Sequence, residues 1–260
     1  MPESGNILSK FILDGKTAIV TGASRGLGKA MATGLAEAGA DLVLVARDEA
    51  ALRDTAGQVH EVGSRALVTP CDVTNTDRFK RKVIDKAIDQ LGHIDILVNN
   101  AGIIRRAPAA EHPDSYWDEV IDVNLTSVFR ISREVGKIML EQDRGKIINI
   151  ASVLSYFGGI TVPSYAASKG GIAQLTKALA NEWAGHNIQV NAVAPGYFET
   201  DNTKPLLEDE ERRQAITGRI PFGRWGKPED LKGTVVFLAS EASEYVNGHV
   251  LVVDGGWMAR

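Results

Sequence analysis

The stretch that decides the fold runs from Thr17 to Gly28 and reads TAIVTGASRGLG. Its first five residues are mostly apolar and β-branched. The glycines at 22, 26 and 28 follow in the spacing G-x3-G-x-G, and a helical pattern begins at the last of them. Backbone N–H groups at a helix N-terminus attract phosphate, and glycine lets a pyrophosphate approach the main chain closely. The stretch therefore predicts the first strand-to-helix turn of a dinucleotide-binding fold.

The rest of the chain alternates short apolar runs with helix-length patterns. Strands are predicted at Thr17–Thr21, Asp41–Ala46, Ala66–Pro70, Ile94–Asn99, Lys146–Ala151, Ile188–Val193 and Val250–Asp254. Helices are predicted at Gly28–Ala38, Glu49–Glu61, Thr76–Leu91, Ser115–Leu140, Tyr165–Ala184 and Pro228–Ala239. Such alternation indicates an α/β fold, here a doubly wound Rossmann-type sheet of seven parallel strands with helices on both faces. We expect one domain over residues 1–260, with a substrate lid at 200–225, where a charged stretch with two prolines breaks the rhythm.

Composition excludes several classes of protein. The 260 residues are 44% hydrophobic and 24% charged, as in ordinary globular chains. The net charge of −4 lacks the basic excess of a nucleic-acid binder. We find no secretory signal and no apolar window of the roughly 18 residues that a membrane helix needs, so we expect a cytoplasmic protein without a membrane partner. The lone Cys71 excludes an intramolecular disulfide, and the five histidines have no metal-ligand spacing, so no metal is expected.

Two arginines bear on the choice of cofactor. Arg47 follows the second strand, where folds that prefer NAD usually carry an acidic residue, and Arg25 lies in the glycine loop. Two guanidiniums could hold a 2′-phosphate, so NADP(H) is the preferred cofactor and NAD(H) the possible one. The alternative is that both are solvated, with Asp48 neutralising Arg47. The other predicted cofactor contacts up to the fourth strand are Gly22, Ser24, Gly26, Leu27, Gly28, Asp72, Val73, Asn99, Ala101 and Gly102.

The candidate chemical groups follow the fifth strand. Ser152 comes directly after that strand, Tyr165 lies thirteen residues further on, and Lys169 four residues after the tyrosine. A separation of four places Tyr165 and Lys169 on one face of a helix. Helices contain Y-x-x-x-K by chance, but a serine at a strand end, in a chain that also carries TGASRGLG, makes the pattern specific.

These motifs together resemble a known family. TGASRGLG, NNAG, Asn124 in DVNL, Ser152, YAASK and the PG of VAPGYFET resemble the Tyr-dependent branch of the short-chain dehydrogenases/reductases. The resemblance implies that Tyr165 is the general acid and base, and that the Lys169 ammonium and the oxidised nicotinamide lower its pKa. It implies that Ser152 binds the reacting oxygen and Asn124 anchors a proton-relay water. It also implies cofactor contacts from Tyr165, Lys169, Pro195, Gly196 and Thr200, and a homotetramer.

The substrate is predicted less directly. Arg105 and Arg106 could bind a substrate carboxylate, or could instead pair with Glu111 or with a neighbouring subunit. The lid contributes two further candidates, Tyr197 and Trp225. Strings such as NNAGIIRRAP are similar to sugar-acid oxidoreductases of the family. Together with Ser152 and Tyr165, these four side chains form the expected substrate site for gluconate and 5-ketogluconate, or for 2-dehydro-3-deoxygluconate. A 3-oxoacyl carrier-protein reductase and a nucleotide-sensing scaffold are the alternatives.

Overall fold

A computed structural model describes residues 6–260 and contains one parallel β-sheet. Its strands are β1 (Thr17–Thr21), β2 (Asp41–Ala46), β3 (Ala66–Pro70), β4 (Ile96–Asn99), β5 (Gly145–Ile150), β6 (Ile188–Pro195) and β7 (Val250–Val253). They pair in the order β3-β2-β1-β4-β5-β6-β7, every pair parallel. The predicted seven-stranded sheet is confirmed. Strands β2 and β3 lie on one side of β1, and β4 to β7 lie on the other side. This reversal of strand order opens a crevice at the carboxyl end of β1, between β2 and β4.

Helices connect the strands. They are α1 (Gly26–Glu37), α2 (Glu49–Glu61), α3 (Thr76–Phe79), α4 (Asp85–Leu91), α5 (Asp114–Ile121), α6 (Ser127–Gln142), α7 (Pro163–Trp183), α8 (Lys204–Glu208), α9 (Glu210–Arg219) and α10 (Lys232–Ala239). Two of the predicted long helices are each interrupted by a π-helical turn, at Lys80–Ile84 and Asp122–Thr126. Such turns are common at functional sites, and the second contains Asn124.

Two apolar cores lie on opposite faces of the sheet. Met31 and Leu35 of α1 pack with Leu238 of α10 against one face. Phe79 of α3 and Ile131 of α6 pack against the other. Strands buried on both sides explain the near-continuous apolar runs of the sequence, and the predicted helices on both faces are confirmed.

The segment predicted as a lid folds back on itself. Phe198 pairs with Gly226 in a short parallel bridge, so the two ends of the segment meet. The segment contains α8 and α9. The sequence did not predict these helices, because the many charged residues of the segment obscure the apolar periodicity of a helix. Asp209 caps α9 by accepting a hydrogen bond from the Arg212 N–H. None of the helices described is long and apolar enough to cross a membrane.

Candidate active site

A cleft of about 540 Å³ opens at the carboxyl end of β1, a volume within the usual range of small-molecule and cofactor sites. The glycine loop after β1 forms one wall, and Glu199–Asn202 of the lid form part of the other. Twelve residues predicted to bind the cofactor line it: Gly22, Ser24, Arg25, Gly26, Leu27, Gly28, Arg47, Asp72, Val73, Ala101, Gly102 and Thr200. The sheet therefore brings together side chains from the carboxyl ends of four strands.

The backbone of the glycine loop packs closely against neighbouring protein atoms. Gly22 has φ +68°, a conformation that favours glycine. A Cβ at Gly28 would overlap the Gly22 carbonyl oxygen and the Asn100 side-chain amide. That amide donates hydrogen bonds to the carbonyl oxygens of Thr21 (3.0 Å) and Gly22 (3.2 Å). The loop is thus packed too tightly for any side chain at Gly28.

Of the two asparagines in NNAG, the structure turns only the second toward the cleft. Asn100 lines it, although it was not among the predicted contacts. Asn99 is buried, and its amide donates to Ser132 (3.0 Å) and Asn149 (2.9 Å) beneath the sheet. Successive residues of a strand point to opposite faces, so one of the pair had to face away. The Asn99 side chain is therefore a core group.

Arg47 lies on the rim of the cleft without a carboxylate partner among residues 6–260. Its neighbour Asp48 instead caps α2, accepting the Ala51 N–H at 3.1 Å. The nearby Asp72 accepts bonds from Thr74, which lower its pKa, and the Arg47 charge lowers it further. Arg25, in contrast, pairs with Asp201 of the lid at 3.0 Å. Both members of that pair are exposed.

The three predicted chemical groups meet beyond the end of β5. Ser152 is buried and caps a short 3-10 turn, accepting the Leu154 N–H at 3.1 Å. Tyr165 and Lys169 extend from one face of α7, and the lysine Nζ lies 5.6 Å from the centroid of the tyrosine ring. Lys169 is 5% exposed, and its ammonium donates to the Ile150 carbonyl oxygen at 2.5 Å.

Burial has the largest effect on the pKa values of Tyr165 and Lys169. Burial raises the pKa of Tyr165, while the facing Ser152 hydroxyl and the Arg106 charge act to lower it. Burial also lowers the pKa of Lys169 to about 8. The positive charge that acts on Tyr165 here comes from Arg106.

Asn124 binds the main chain. Its side-chain oxygen accepts the Ile103 N–H at 2.8 Å, and its amide donates to the Ile103 carbonyl oxygen at 2.9 Å and to Ser168 at 3.2 Å. Ile103 lines the cleft. The π-helical turn therefore uses Asn124 to hold one wall of the site in place.

The two adjacent arginines, Arg105 and Arg106, make different contacts. Arg105 forms a two-pronged ion pair with Glu119, at 2.9 and 2.7 Å, and its guanidinium lies 5.9 Å from the Tyr116 ring centroid. Arg106 binds only a carbonyl oxygen, that of Asn202 in the lid, at 3.0 Å. Neither pairs with Glu111. Of the two, Arg106 has no acidic partner among residues 6–260, and its charge acts to lower the pKa of Tyr165.

The two predicted lid aromatics pack together. Trp225 is 4% exposed, and its indole N–H donates to the Thr217 hydroxyl at 2.9 Å. The Tyr197 ring lies between it and Trp257, at 5.4 and 4.6 Å between centroids. Trp225 therefore supports the lid from inside, with its indole N–H already bonded. Its residue type suggested a binding surface, but the sequence could not show that Thr217 would take its one donor.

Pro195 and Gly196 lie at the carboxyl edge of the sheet, outside the lining of the cleft. Gly196 donates its N–H to the Val253 carbonyl oxygen at 2.9 Å, and a Cβ there would press on Asp254. Eleven cleft residues were not predicted as contacts: Ala46, Asp48, Ala51, Cys71, Asn100, Ile103, Glu119, Val123, Glu199, Asp201 and Asn202. Several of them directly precede or follow predicted residues in the sequence, and this adjacency is the one sequence feature that could have identified them. Residues 6–260 contain no cluster of side chains that could hold a metal ion.

The fold, the glycine loop and the Ser152-Tyr165-Lys169 group define a dinucleotide-dependent oxidoreductase class. A family model described as enoyl-(acyl carrier protein) reductase matches residues 22–258. The chain belongs to the short-chain dehydrogenase/reductase family, which confirms the resemblance.

Three proteins illustrate the similarity. The chain is 56% identical, over 98% of its length and all of the relative, to 2-dehydro-3-deoxy-D-gluconate 5-dehydrogenase of Pseudoalteromonas atlantica. It is 45% identical, over 95% of its length and 96% of the relative, to gluconate 5-dehydrogenase of Gluconobacter oxydans. A crystal structure of gluconate 5-dehydrogenase from Burkholderia cenocepacia, in complex with NADP and tartrate, matches with a TM-score of 0.94 at 42% identity. That match covers 98% of this chain and all of that one.

Proposed function

We propose that this protein transfers a hydride between NADP(H) and carbon 5 of a six-carbon sugar acid. The observation that carries the proposal is the meeting of Ser152, Tyr165 and Lys169 near an arginine, Arg106, that has no acidic partner among the described residues. Both named dehydrogenase relatives act at carbon 5 of gluconate or its 2-dehydro-3-deoxy derivative, and the chain resembles both over nearly its whole length. Gluconate with 5-ketogluconate and 2-dehydro-3-deoxygluconate are the candidate substrates.

The cofactor cleft fits NADP. The glycine loop lines the cleft where α1 begins, and backbone at a helix N-terminus suits the pyrophosphate. Arg47, without an ion pair among residues 6–260, would hold the 2′-phosphate, and Arg25 could join it by leaving Asp201. Lys169 and Tyr165 would hold the ribose. When bound, the nicotinamide supplies or accepts the hydride.

The chain's own residues handle the proton and the substrate oxygen. Burial keeps Tyr165 protonated at neutral pH, so its phenol is ready to donate a proton to the oxygen of a ketone during reduction. The Ser152 hydroxyl would hydrogen-bond that oxygen as negative charge develops on it. For alcohol oxidation Tyr165 must first lose its proton, which nearby positive charge favours. Asn124 would keep the wall at Ile103 in place.

The proposal extends to assembly and location. We infer that residues 1–260 form a single domain and that the protein is a cytoplasmic homotetramer, as expected from the family resemblance. Light scattering of the purified chain measures the oligomer directly. A monomer at assay concentration would contradict that part of the proposal and leave the chemistry standing.

The experiment is a steady-state panel. The substrates are gluconate, 5-ketogluconate, 2-dehydro-3-deoxygluconate and acetoacetyl thioesters, each with NADP(H) and NAD(H). We expect the highest kcat/KM for a sugar acid with NADP(H). Preference for acetoacetyl thioesters would replace the proposal with a 3-oxoacyl carrier-protein reductase. A clear preference for NAD(H) would overturn the role given to Arg47.

A further inference from the structure

The first turn of helix α7, which carries Tyr165, is held by a side chain from outside the helix. Val162 precedes the helix and makes no side-chain cap to its free N–H groups. The hydroxyl of Ser164, the second residue of α7, is completely buried and lies 3.0 Å from Nε2 of His112. His112 belongs to the segment between β4 and α5. A separate part of the chain therefore contacts the turn that presents Tyr165.

The loop that leads into α7 is strained and is held by the same segment. Thr161 has φ +64°, which is a rare conformation for a β-branched residue. Such strain persists only where the surrounding structure imposes it, and it concentrates at functional sites. The Thr161 carbonyl oxygen accepts the Ala107 N–H at 3.0 Å. Ala107 and His112 thus hold the loop and the helix start together.

His112 is a costly side chain for packing alone. Its Nε2 is bonded to Ser164, but its Nδ1 is buried and has no hydrogen-bond partner among residues 6–260. In either tautomer of a neutral ring, one nitrogen therefore loses its hydration without compensation. An apolar ring of similar size would avoid this cost. What a histidine adds at this position is the bond to Ser164.

The segment that carries His112 also reaches the cofactor cleft. The rings of His112 and Tyr116 pack edge to face, with 5.9 Å between their centroids. The Arg105 guanidinium lies 5.9 Å from the Tyr116 ring centroid and is ion-paired with Glu119, which lines the cleft. A continuous row of contacts therefore connects one wall of the cleft to the first turn of α7.

We propose that His112 positions Tyr165 for proton transfer by fixing Ser164 at the start of α7. A general acid must lie within hydrogen-bond distance of the atom that it protonates, and a displacement of about 1 Å can cost about 10²-fold in rate. His112 is a positioning residue in this scheme and exchanges no proton with the substrate. The inference rests on the proposed function, in which Tyr165 is the acid and base, and it adds a residue that none of the sequence motifs contains.

The test compares His112→Phe, which keeps a ring against Tyr116 but removes the bond to Ser164, with the wild type. For ketone reduction with NADPH we expect kcat to fall about 5- to 100-fold, between the effect of one lost hydrogen bond and that of a displaced acid. The solvent deuterium isotope effect on kcat should rise, because the proton step is slowed. Ser164→Ala, a smaller change, should repeat the loss, and His112→Gln, whose amide can bond Ser164, should restore part of the rate. His60→Gln, at an exposed histidine of α2, is the matched control and should keep wild-type values.

Two further measurements separate a positioning role from a structural one. His112→Phe in the Tyr165→Phe background should cause no further loss of kcat, since no phenol is left to position. Amide hydrogen exchange at Ala166, whose N–H bonds the Val162 carbonyl oxygen at 3.0 Å, reports on the start of α7 without turnover and should be faster in His112→Phe.

The outcomes distinguish failure of this inference from failure of the proposed function. Wild-type turnover by Tyr165→Phe would overturn the proposed function. If Tyr165→Phe is inactive but His112→Phe keeps the wild-type kcat, the role of His112 is overturned and the proposed function stands. The same holds if His112→Phe loses activity with an unchanged isotope effect, or with unchanged exchange at Ala166, because such a loss would reflect fewer folded molecules.

Discussion

The two walls of the cleft are held in place by different interactions. The glycine-loop wall, residues 21–28 with Asn100, is fixed by main-chain groups: Asn100 bonds two carbonyl oxygens, and Gly28 leaves no space for a Cβ. The lid wall, residues 197–226, is fixed by side chains: aromatic rings pack inside it, Arg25 reaches it from the glycine loop, and Arg106 reaches it from the sheet edge. The first wall should tolerate almost no substitution, and the second should change gradually. Under the proposed function, the rigid wall would bind the cofactor and the adjustable wall would select the substrate.

The largest effect is expected from adding a methyl group to the glycine-loop wall, which tests whether this wall is the more rigid of the two. Gly28→Ala would force a Cβ into the Gly22 carbonyl and the Asn100 amide. We expect the free energy of unfolding to fall by about 3 kcal/mol, a typical upper value for overpacking, and NADPH binding to weaken with it. Denaturant unfolding and fluorescence titration measure both. The control is Gly57→Ala, at a helical glycine with open space around it, which should stabilise the chain by up to about 1 kcal/mol. Equal behaviour of the two variants would contradict the contrast.

The next effect separates the two cofactors. Arg47→Ala removes the charge proposed to meet the 2′-phosphate and nothing that NADH would use. We expect kcat/KM for NADPH to fall about 10- to 100-fold, with NADH changed less than about twofold. Arg53→Ala is the control, because that arginine is exposed and pairs with Glu49 on α2. A parallel loss with both cofactors would mean that Arg47 acts on the fold.

A smaller effect is expected inside the lid. Trp225→Phe keeps the aromatic packing and removes the bond from the indole N–H to Thr217, worth about 1 kcal/mol. We expect faster amide hydrogen exchange across α8 and α9, with NADPH affinity unchanged. Trp117→Phe, at an exposed tryptophan of α5, serves as the comparison. Faster exchange in the glycine loop but not in the lid would contradict the separation of the walls.

The smallest effect is expected where the walls touch at the surface. Asp201→Asn removes the ion pair with Arg25, both members of which are exposed. Exposed pairs contribute at most about 1 kcal/mol, so NADPH affinity should change less than about fivefold. Any gain should come from Arg25 being freed for the 2′-phosphate, and it should shrink at high salt. A large, salt-independent loss of affinity would show instead that this ion pair holds the cleft together.

The same contrast explains what the sequence could predict. The parallel sheet, the glycine loop and the order of Ser152, Tyr165 and Lys169 depend on local spacing and on strand ends, which a sequence displays directly. Lid helix α9 and the lack of an acidic partner for Arg106 among the described residues depend on which partners each charged side chain finds after folding. Arg105 and Arg106 are adjacent and identical in type, yet only one meets Glu119. Asn99 and Asn100 are separated in the same way, by which face of the strand each occupies.

The central claim is that Tyr165 exchanges a proton with the substrate oxygen, and the most direct measurement is the pH dependence of both reaction directions. Ketone reduction needs the protonated phenol, so its kcat/KM should hold at neutral pH and fall as pH rises through the pKa of Tyr165, which burial raises. Alcohol oxidation needs the phenolate and should rise over the same range. Tyr165→Phe should lose about 10²- to 10⁴-fold in both directions. Because the phenol would also hold the ribose, NADPH affinity should fall by no more than about fivefold, the effect of one lost hydrogen bond. Substantial turnover by Tyr165→Phe, with the same pH limbs as the wild type, would contradict the account.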